Sequence, residues 1–191
     1  MKKIELENQI IKIARAAKQA SRVLAQIPTE DKNKSLLKMA EAIMARQDFL
    51  KKENQKDLVF AQKQKYPSAM IDRLALNEKR IKGLADGLTD TARLKDPVGE
   101  ILQTFQRPNG LLIKKVRVPI GVIGIIYESR PNVTSDCIGL CLKSGNAVIL
   151  KGGTEAAHSN AAIFRVCREA LKGTATDFDP GLLKLLDHPR Q

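Results

Sequence analysis

The chain has 191 residues, of which 43% are apolar. That is enough to bury a core, so disorder along its whole length is excluded. Lys and Arg number 33 against 21 Asp and Glu, a formal charge of +12 spread along the chain and interrupted everywhere by acid. Only 4% is aromatic, with no Trp. A stacking platform for single-stranded nucleic acid is therefore not expected, and a dispersed basic surface suits a phosphorylated small molecule better than DNA.

Three cysteines, Cys137, Cys141 and Cys167, make no disulfide framework and no zinc spacing. The longest uncharged stretch, Val118–Tyr127, is too short to cross a bilayer. Acid at Glu5 comes too early for a signal peptide, and the cytoplasm is the expected compartment.

Residues 1–96 read as helical. Leu6, Ile10, Ile13, Ala17, Ala20, Leu24 and Ile27 form one stripe, which Pro28 ends. A second helix is expected to bury Leu36, Leu37, Ala40, Ile43, Met44 and Leu50. Pro67 and Ser68 interrupt the pattern, and a short helix follows around Met70–Leu74. Asn77 stands at an N-cap position ahead of Ile81, Leu84 and Leu88. The texture changes at Asp96-Pro97. Val98–Phe105 and Leu111–Val118 flank Asn109-Gly110, a hairpin signal.

From Ile120 the pattern is strand, helix, strand, helix. Val122–Tyr127 reads as a strand covered on both faces, Val133–Lys143 as a helix, and Ser144-Gly145-Asn146 as its stop. Ala147–Leu150 is a second strand and Ala156–Lys172 a second helix. Two strands and two helices leave a parallel sheet incomplete. After Gly173 the pattern decays through Thr174–Asp179, Pro180-Gly181, Leu182–Leu186 and His188–Gln191. The expected class is α/β: a helical layer over 1–96, a β-hairpin arm over 97–118, a partial Rossmann-like cofactor domain over 119–172 and a divergent tail over 173–191.

Ligands of parallel sheets bind beyond the C-terminal strand ends, which selects two turns. In the first, Asn132 offers an amide for a developing oxyanion and Arg130 a fork for carboxylate or phosphate. Ordinary turn chemistry, with Thr134 capping the helix, accounts for the same residues. In the second, Lys151 suits a ribose hydroxyl or a phosphate, and Gly152 and Gly153 permit close approach. A flexible loop capped by Thr154, with Glu155 in the first helical turn, is the alternative. No G-x-G-x-x-G follows the first strand, so a nicotinamide cofactor would bind in a non-standard manner. Cys137 and Cys141 share a helix face as small hydrophobes. Cys167, between Arg165 and Arg168, is either core or a thiol of lowered pKa. Two histidines, His158 and His188, supply neither a metal site nor a triad.

The run Val116–Thr134 (VRVPIGVIGIIYESRPNVT) and the run Leu142–Glu155 (LKSGNAVILKGGTE), followed by His158-Ser159-Asn160, resemble the gamma-glutamyl phosphate reductases. These are also called glutamate-5-semialdehyde dehydrogenases, a branch of the aldehyde dehydrogenase superfamily. Asp72-Arg73-Leu74 and Asp96-Pro97-Val98-Gly99 agree with it, and the likeness runs from about residue 5 to about 172. It implies NADPH-dependent reduction of L-glutamyl 5-phosphate to L-glutamate 5-semialdehyde and phosphate in proline biosynthesis, through a cysteine thioester. It implies that Asn132 stabilises the oxyanion and that Lys151 contacts the adenosine ribose or its phosphate. Residues 98–118 would then join subunits of a homo-oligomer. Members of the family are more than twice as long, and their nucleophilic cysteine lies in a segment with no counterpart here. A truncated, inactive chain is thus expected, or else a remnant that binds nucleotide or pairs with other subunits.

Overall fold

The computed structural model describes residues 2–128, 130–174 and 183–186. The turn at Pro180-Gly181 and the end at His188–Gln191 lie outside the described residues. Five helices come first: α1 (Lys2–Leu24), α2 (Thr29–Ala45), α3 (Gln47–Lys63), α4 (Ser68–Leu74) and α5 (Glu78–Arg93). A hairpin of β1 (Ile101–Gln106) and β2 (Leu112–Val116) follows. Then come β3 (Val122–Ile126), α6 (Asn132–Lys143), β4 (Ala147–Lys151), a 3-10 turn over Thr154–Ala156, α7 (Ala157–Ala170) and β5 (Leu183–Leu185).

The second sheet is parallel throughout, in the order β3-β4-β5. β5 is a strand that the decaying pattern past residue 173 does not reveal. Three residues are too few to show a period, and pairing with β4 decides them. α1 lies against all three strands. α6 and α7 pack against β4 and β5, and then against α2, α3 and α5. One core runs through these layers, from Ala17, Ala20 and Leu24 through Val148 and Leu150 to Ile163, Leu36, Ile43, Leu84 and Leu88.

The helical periods are mostly realised. Asn77 caps α5, its side chain accepting from the Arg80 amide at 2.8 Å. Lys65, in left-handed conformation at φ 53°, ends the turn after α3 ahead of Pro67. The expected second helix is two helices, broken at Arg46 (φ −112°, ψ 23°). The buried phase of α2 is Leu36, Met39, Ala40 and Ile43. Leu37 and Met44 sit one residue round from it, about 100° away, and are exposed.

The stripe of α1 is buried only from Ala17 onward, and Leu6 and Ile10 stay exposed at 56% and 45%. A helix of 23 residues is about 34 Å long, whereas three strands span only about 15 Å. Its first half therefore has no sheet beneath it.

The hairpin forms around Asn109-Gly110, with Gly110 at φ 84° and the Arg107 amide bonded to the Leu111 carbonyl at 2.9 Å. The expectation that Val122–Tyr127 is covered on both faces does not hold. Among the described residues β3 stands at the edge of its sheet, and Ile126 is 80% exposed.

Two buried lysines tie the helical layer to α6. The Lys32 ammonium pairs with Asp96 and donates to the Lys143 carbonyl at 3.3 Å. The Lys143 ammonium donates to Asn33 at 2.5 Å and to the Ala92 carbonyl at 2.8 Å. Burial alone would raise the Asp96 pKa. The Lys32 ammonium, the Val98 amide and the Thr29 hydroxyl together outweigh it and hold the carboxyl below its usual range. Burial lowers the Lys143 pKa.

Candidate functional site

β3 and β4 end together, Ile126 opposite Lys151, with the Tyr127 amide bonded to the Lys151 carbonyl at 3.1 Å. The two turns selected from the sequence thus leave the same edge of the sheet. Their geometry is fixed at the start of β4 as well. Asn146, buried, accepts from the Gly121 amide at 2.8 Å and aligns the two strands, while Gly145 makes the turn at φ 73°.

Pro131 precedes α6 with no side-chain cap. Asn132 opens the helix, exposed, and donates an amide hydrogen to Asp136 Oδ2 at 3.0 Å. Its second amide hydrogen has no acceptor among the described residues, which leaves a donor for a ligand. Thr134 does not cap the helix as the ordinary-turn alternative has it. Its hydroxyl is buried and shared between the Tyr127 hydroxyl at 2.7 Å and Asn160 Oδ1 at 3.1 Å. Burial pushes the Tyr127 phenol up to about 12, against the opposing pull of Thr134.

Thr154 is not a cap either; the 3-10 turn starts at Gly153 without a side-chain hydrogen bond. α7 is instead capped from another helix. Buried Asp57 of α3 accepts from the Ser159 amide at 2.7 Å, the Ser159 hydroxyl at 2.6 Å and the His158 amide at 3.2 Å. Asn54, one turn earlier, bonds Ser159 at 2.9 Å, the Leu74 carbonyl at 2.7 Å and the Leu76 amide at 2.8 Å.

Gly152 is explained by this packing. A Cβ there would stand 2.2 Å from Asn160 Nδ2 and 3.2 Å from Tyr127 Cζ. Asn160 itself is held by Thr134, so the chain Tyr127–Thr134–Asn160–Gly152 locks one turn against the other. The sequence gives little signal for it beyond Asn160 within the His158-Ser159-Asn160 motif. Lys151 is half-buried and has no side-chain partner among the described residues. A free ammonium at a strand end suits a ribose hydroxyl or a phosphate, so the donor set fits an anionic nucleotide. Around Gly153, the atoms nearest a Cβ would be those of the Glu155 carboxylate.

A cavity of about 500 Å³ opens beside the first turn, between α5 and the start of α6. Arg130 and Asn132 line it, joined by Arg73, Arg80, Gly83 and Asp136, which the sequence reading did not select. Lys151 and the Gly152-Gly153 loop do not line it. Burial raises the Asp136 pKa, against the opposing hydrogen bond from Asn132.

The thiols are core residues. Cys167 is fully buried and its pKa is pushed up to about 12 by burial alone. Cys141 is likewise raised to about 12 by burial and then by Cys137, and Cys137 is raised by burial and then by Asp136. The flanking Arg165 and Arg168 activate nothing: Arg165 pairs with Glu169 at 2.9 Å. No cluster of three metal-ligating side chains occurs among the described residues.

A parallel sheet with two turns leaving one end of it, backed by this helical layer and preceded by an antiparallel hairpin, defines a class. The chain belongs to the aldehyde dehydrogenase family, whose model matches residues 5–190, past the point near 172 where the motif likeness fades. Within that family it is similar to gamma-glutamyl phosphate reductases. That of Caldanaerobacter subterraneus subsp. tengcongensis is 55% identical over 157 residues, covering 82% of this chain and 38% of the relative. That of Carboxydothermus hydrogenoformans is 53% identical, covering 86% and 40%. The crystal structure of the Thermotoga maritima gamma-glutamyl phosphate reductase superposes with a TM-score of 0.90 at 40% identity, over 94% of this chain and 43% of that one. A salicylaldehyde dehydrogenase from Pseudomonas putida G7, 20% identical with a TM-score of 0.71, shares the fold. The chain spans about two fifths of the length of the curated relatives it matches.

Proposed function

We propose that this chain supplies part of the machinery for reducing L-glutamyl 5-phosphate to L-glutamate 5-semialdehyde and phosphate in proline biosynthesis, with NADPH, in the cytoplasm. The observation that carries the reading is Asn132, exposed at the start of α6 with one amide hydrogen fixed on Asp136 and the other free. A preoriented amide at a helix N-terminus stabilises the negative oxygen that forms when an acyl carbon becomes tetrahedral. Arg130, lining the same cavity, takes a charged end of the substrate. Lys151 holds the ribose or phosphate of the nucleotide. Gly152, Gly153 and Glu155 shape the adjoining loop, Gly152 by making room for Asn160. The bound dinucleotide supplies the hydride.

Covalent catalysis needs a thiolate, and this chain has none to offer. Its three thiols are packed among apolar side chains with raised pKa values. By itself the chain is therefore a nucleotide- and substrate-binding unit without turnover. Its hairpin exposes Ile101, Leu102, Leu111 and Leu112, which supports pairing with other subunits through residues 98–118.

The test has two arms. The purified chain is assayed for NADPH-dependent reduction of glutamyl phosphate, and NADPH is titrated calorimetrically against the chain and Lys151→Ala. Binding without turnover, weakened by Lys151→Ala, is expected. Turnover at enzyme-like rates would overturn the inactive reading. An affinity unchanged in Lys151→Ala would remove Lys151 from the nucleotide site.

A further inference from the structure

The open side of β3 has the chemistry of a pairing edge. In the parallel ladder every second residue of β3 turns its main chain to β4. The Gly121 carbonyl accepts from the Ala147 amide at 2.9 Å, and the Tyr127 amide donates to the Lys151 carbonyl at 3.1 Å. Ile123 and Ile125 share that phase. The amides and carbonyls of Val122, Gly124 and Ile126 therefore point the other way, where no strand stands among the described residues.

Exposed edges are ordinarily blunted by charge, proline or a bulge. In the hairpin, β2 carries Lys114 and Lys115. β3 has none of these devices. Its sequence is Val-Ile-Gly-Ile-Ile, its register with β4 is regular from end to end, and no charge occurs from Val118 to Tyr127. Ile126 and Ile120, the latter just before the strand, are each 80% exposed.

A two-fold axis at Gly124 makes this edge complementary to itself. Two β3 strands then run antiparallel, with Gly124 opposite Gly124 and Val122 opposite Ile126 of the second copy. All of these residues are in the outward phase, so each opposed pair exchanges both of its N–H···O bonds. Val122 and Ile126 lie on one face of the strand, which sets the exposed Ile126 against an apolar neighbour. Gly124 puts no side chain at the axis, and a Cβ there would meet nothing within 4 Å of its own chain. Glycine inside a strand marks a close approach of another backbone.

The ends of the paired stretch match in charge. Lys18 of α1 stands beside Gly121, its ammonium 3.4 Å from where a Cβ would be. In this register Gly121 falls opposite Tyr127 of the second copy, whose Glu128 comes next in the chain. Neither Lys18 nor Glu128 has an ion pair among the described residues.

We propose that two copies of this chain pair antiparallel through the open edge of β3, about a two-fold axis at Gly124. The pairing closes on itself and uses up the edge. It is independent of the hairpin and of the function proposed above. Strands this short bury less than the about 1,200 Å² of a permanent interface, so monomer and dimer exchange at about micromolar concentration.

The test is analytical ultracentrifugation and amide hydrogen exchange of the full chain carrying Leu112→Lys, an exposed substitution that disables pairing through the hairpin. A monomer–dimer equilibrium is expected. The amides of Val122, Gly124 and Ile126 should be protected in concentrated samples and exchange freely on dilution, while those of Ile123 and Ile125 stay protected in both. Adding Ile126→Lys should weaken dimerisation by at least about tenfold, with cooperative melting retained. Lys18→Glu should weaken it as well, and Lys18→Glu with Glu128→Lys should restore it, a recovery that misfolding cannot produce. A chain that stays monomeric at hundreds of micromolar would overturn the proposal, whether the edge is bare or takes a strand of another protein. So would an assembly that Ile126→Lys leaves intact, or outward amides that exchange in the dimer as they do in the monomer. A charge swap that restores nothing would overturn the register. None of these outcomes bears on the proposed function, which is read from turnover and the NADPH titration.

Discussion

The sharpest consequence of the thiol environments is kinetic. Alkylation by iodoacetamide proceeds through the thiolate, so its rate scales with the ionised fraction and with access. At pH 8 a thiol at the ordinary value of 9.0 is about one-tenth ionised. Cys141 and Cys167, pushed up to about 12, are ionised in only about one molecule in ten thousand. Ionisation alone thus slows them about a thousandfold, and their burial slows them further, until labelling waits on opening of the core. Cys137, half-buried, is raised less and should react first. Mass spectrometry of the native chain over a time course should show one adduct, on Cys137, and Cys137→Ser should show essentially none. Urea should release all three sites together. If Cys141 or Cys167 were alkylated in native buffer as fast as a free thiol, the claim that the chain lacks an activated nucleophile would fail.

Two further outcomes concern stability. Asp96→Asn leaves the buried Lys32 ammonium without its anion, and urea unfolding at pH 7 should show a loss of about 3 kcal/mol. The Asp96 pKa is lower in the folded state, so its stabilisation is present above the unfolded value near 3.8 and vanishes as pH falls through the folded value. The acid limb of the stability profile should therefore flatten in Asp96→Asn; an unchanged limb would refute the pairing. Gly152→Ala places a methyl 2.2 Å from Asn160 Nδ2, which Thr134 prevents from yielding, and should cost about 2 kcal/mol. Asn160→Ala combined with Gly152→Ala should recover part of that loss, and strict additivity in the double mutant would argue against the contact.

Much of the local placement of the candidate residues was legible in the chain. Asn132 and Arg130 follow one apolar run and Lys151 ends another, and the structure places both runs as strands that stop there. The partners of those residues were not legible. Nothing in the residue order singles out Asp136 or Arg80, and Arg73 stands out only within Asp72-Arg73-Leu74, some sixty residues before the first turn. Only the tertiary arrangement of α4, α5 and α6, with α5 packed against α6, brings them to one cavity. Thr134 and Thr154 show the converse. Both occupy positions where a cap is one of the two readings the sequence allows. Thr134 instead joins a hydrogen-bond chain across α6 and α7, and α7 takes its cap from Asp57, about a hundred residues distant.

The amino-acid order alone determined the helical and extended periods, the hairpin turn at Asn109-Gly110 and the α/β class, because these depend on neighbours within a few residues. Tertiary structure decided what such periods cannot encode. It set which half of the α1 stripe is covered, where the long second helix breaks, and that β3 stands at a sheet edge among the described residues. It also turned three residues near the end of the chain into a strand, since a segment that short is held by its partner rather than by its own preference.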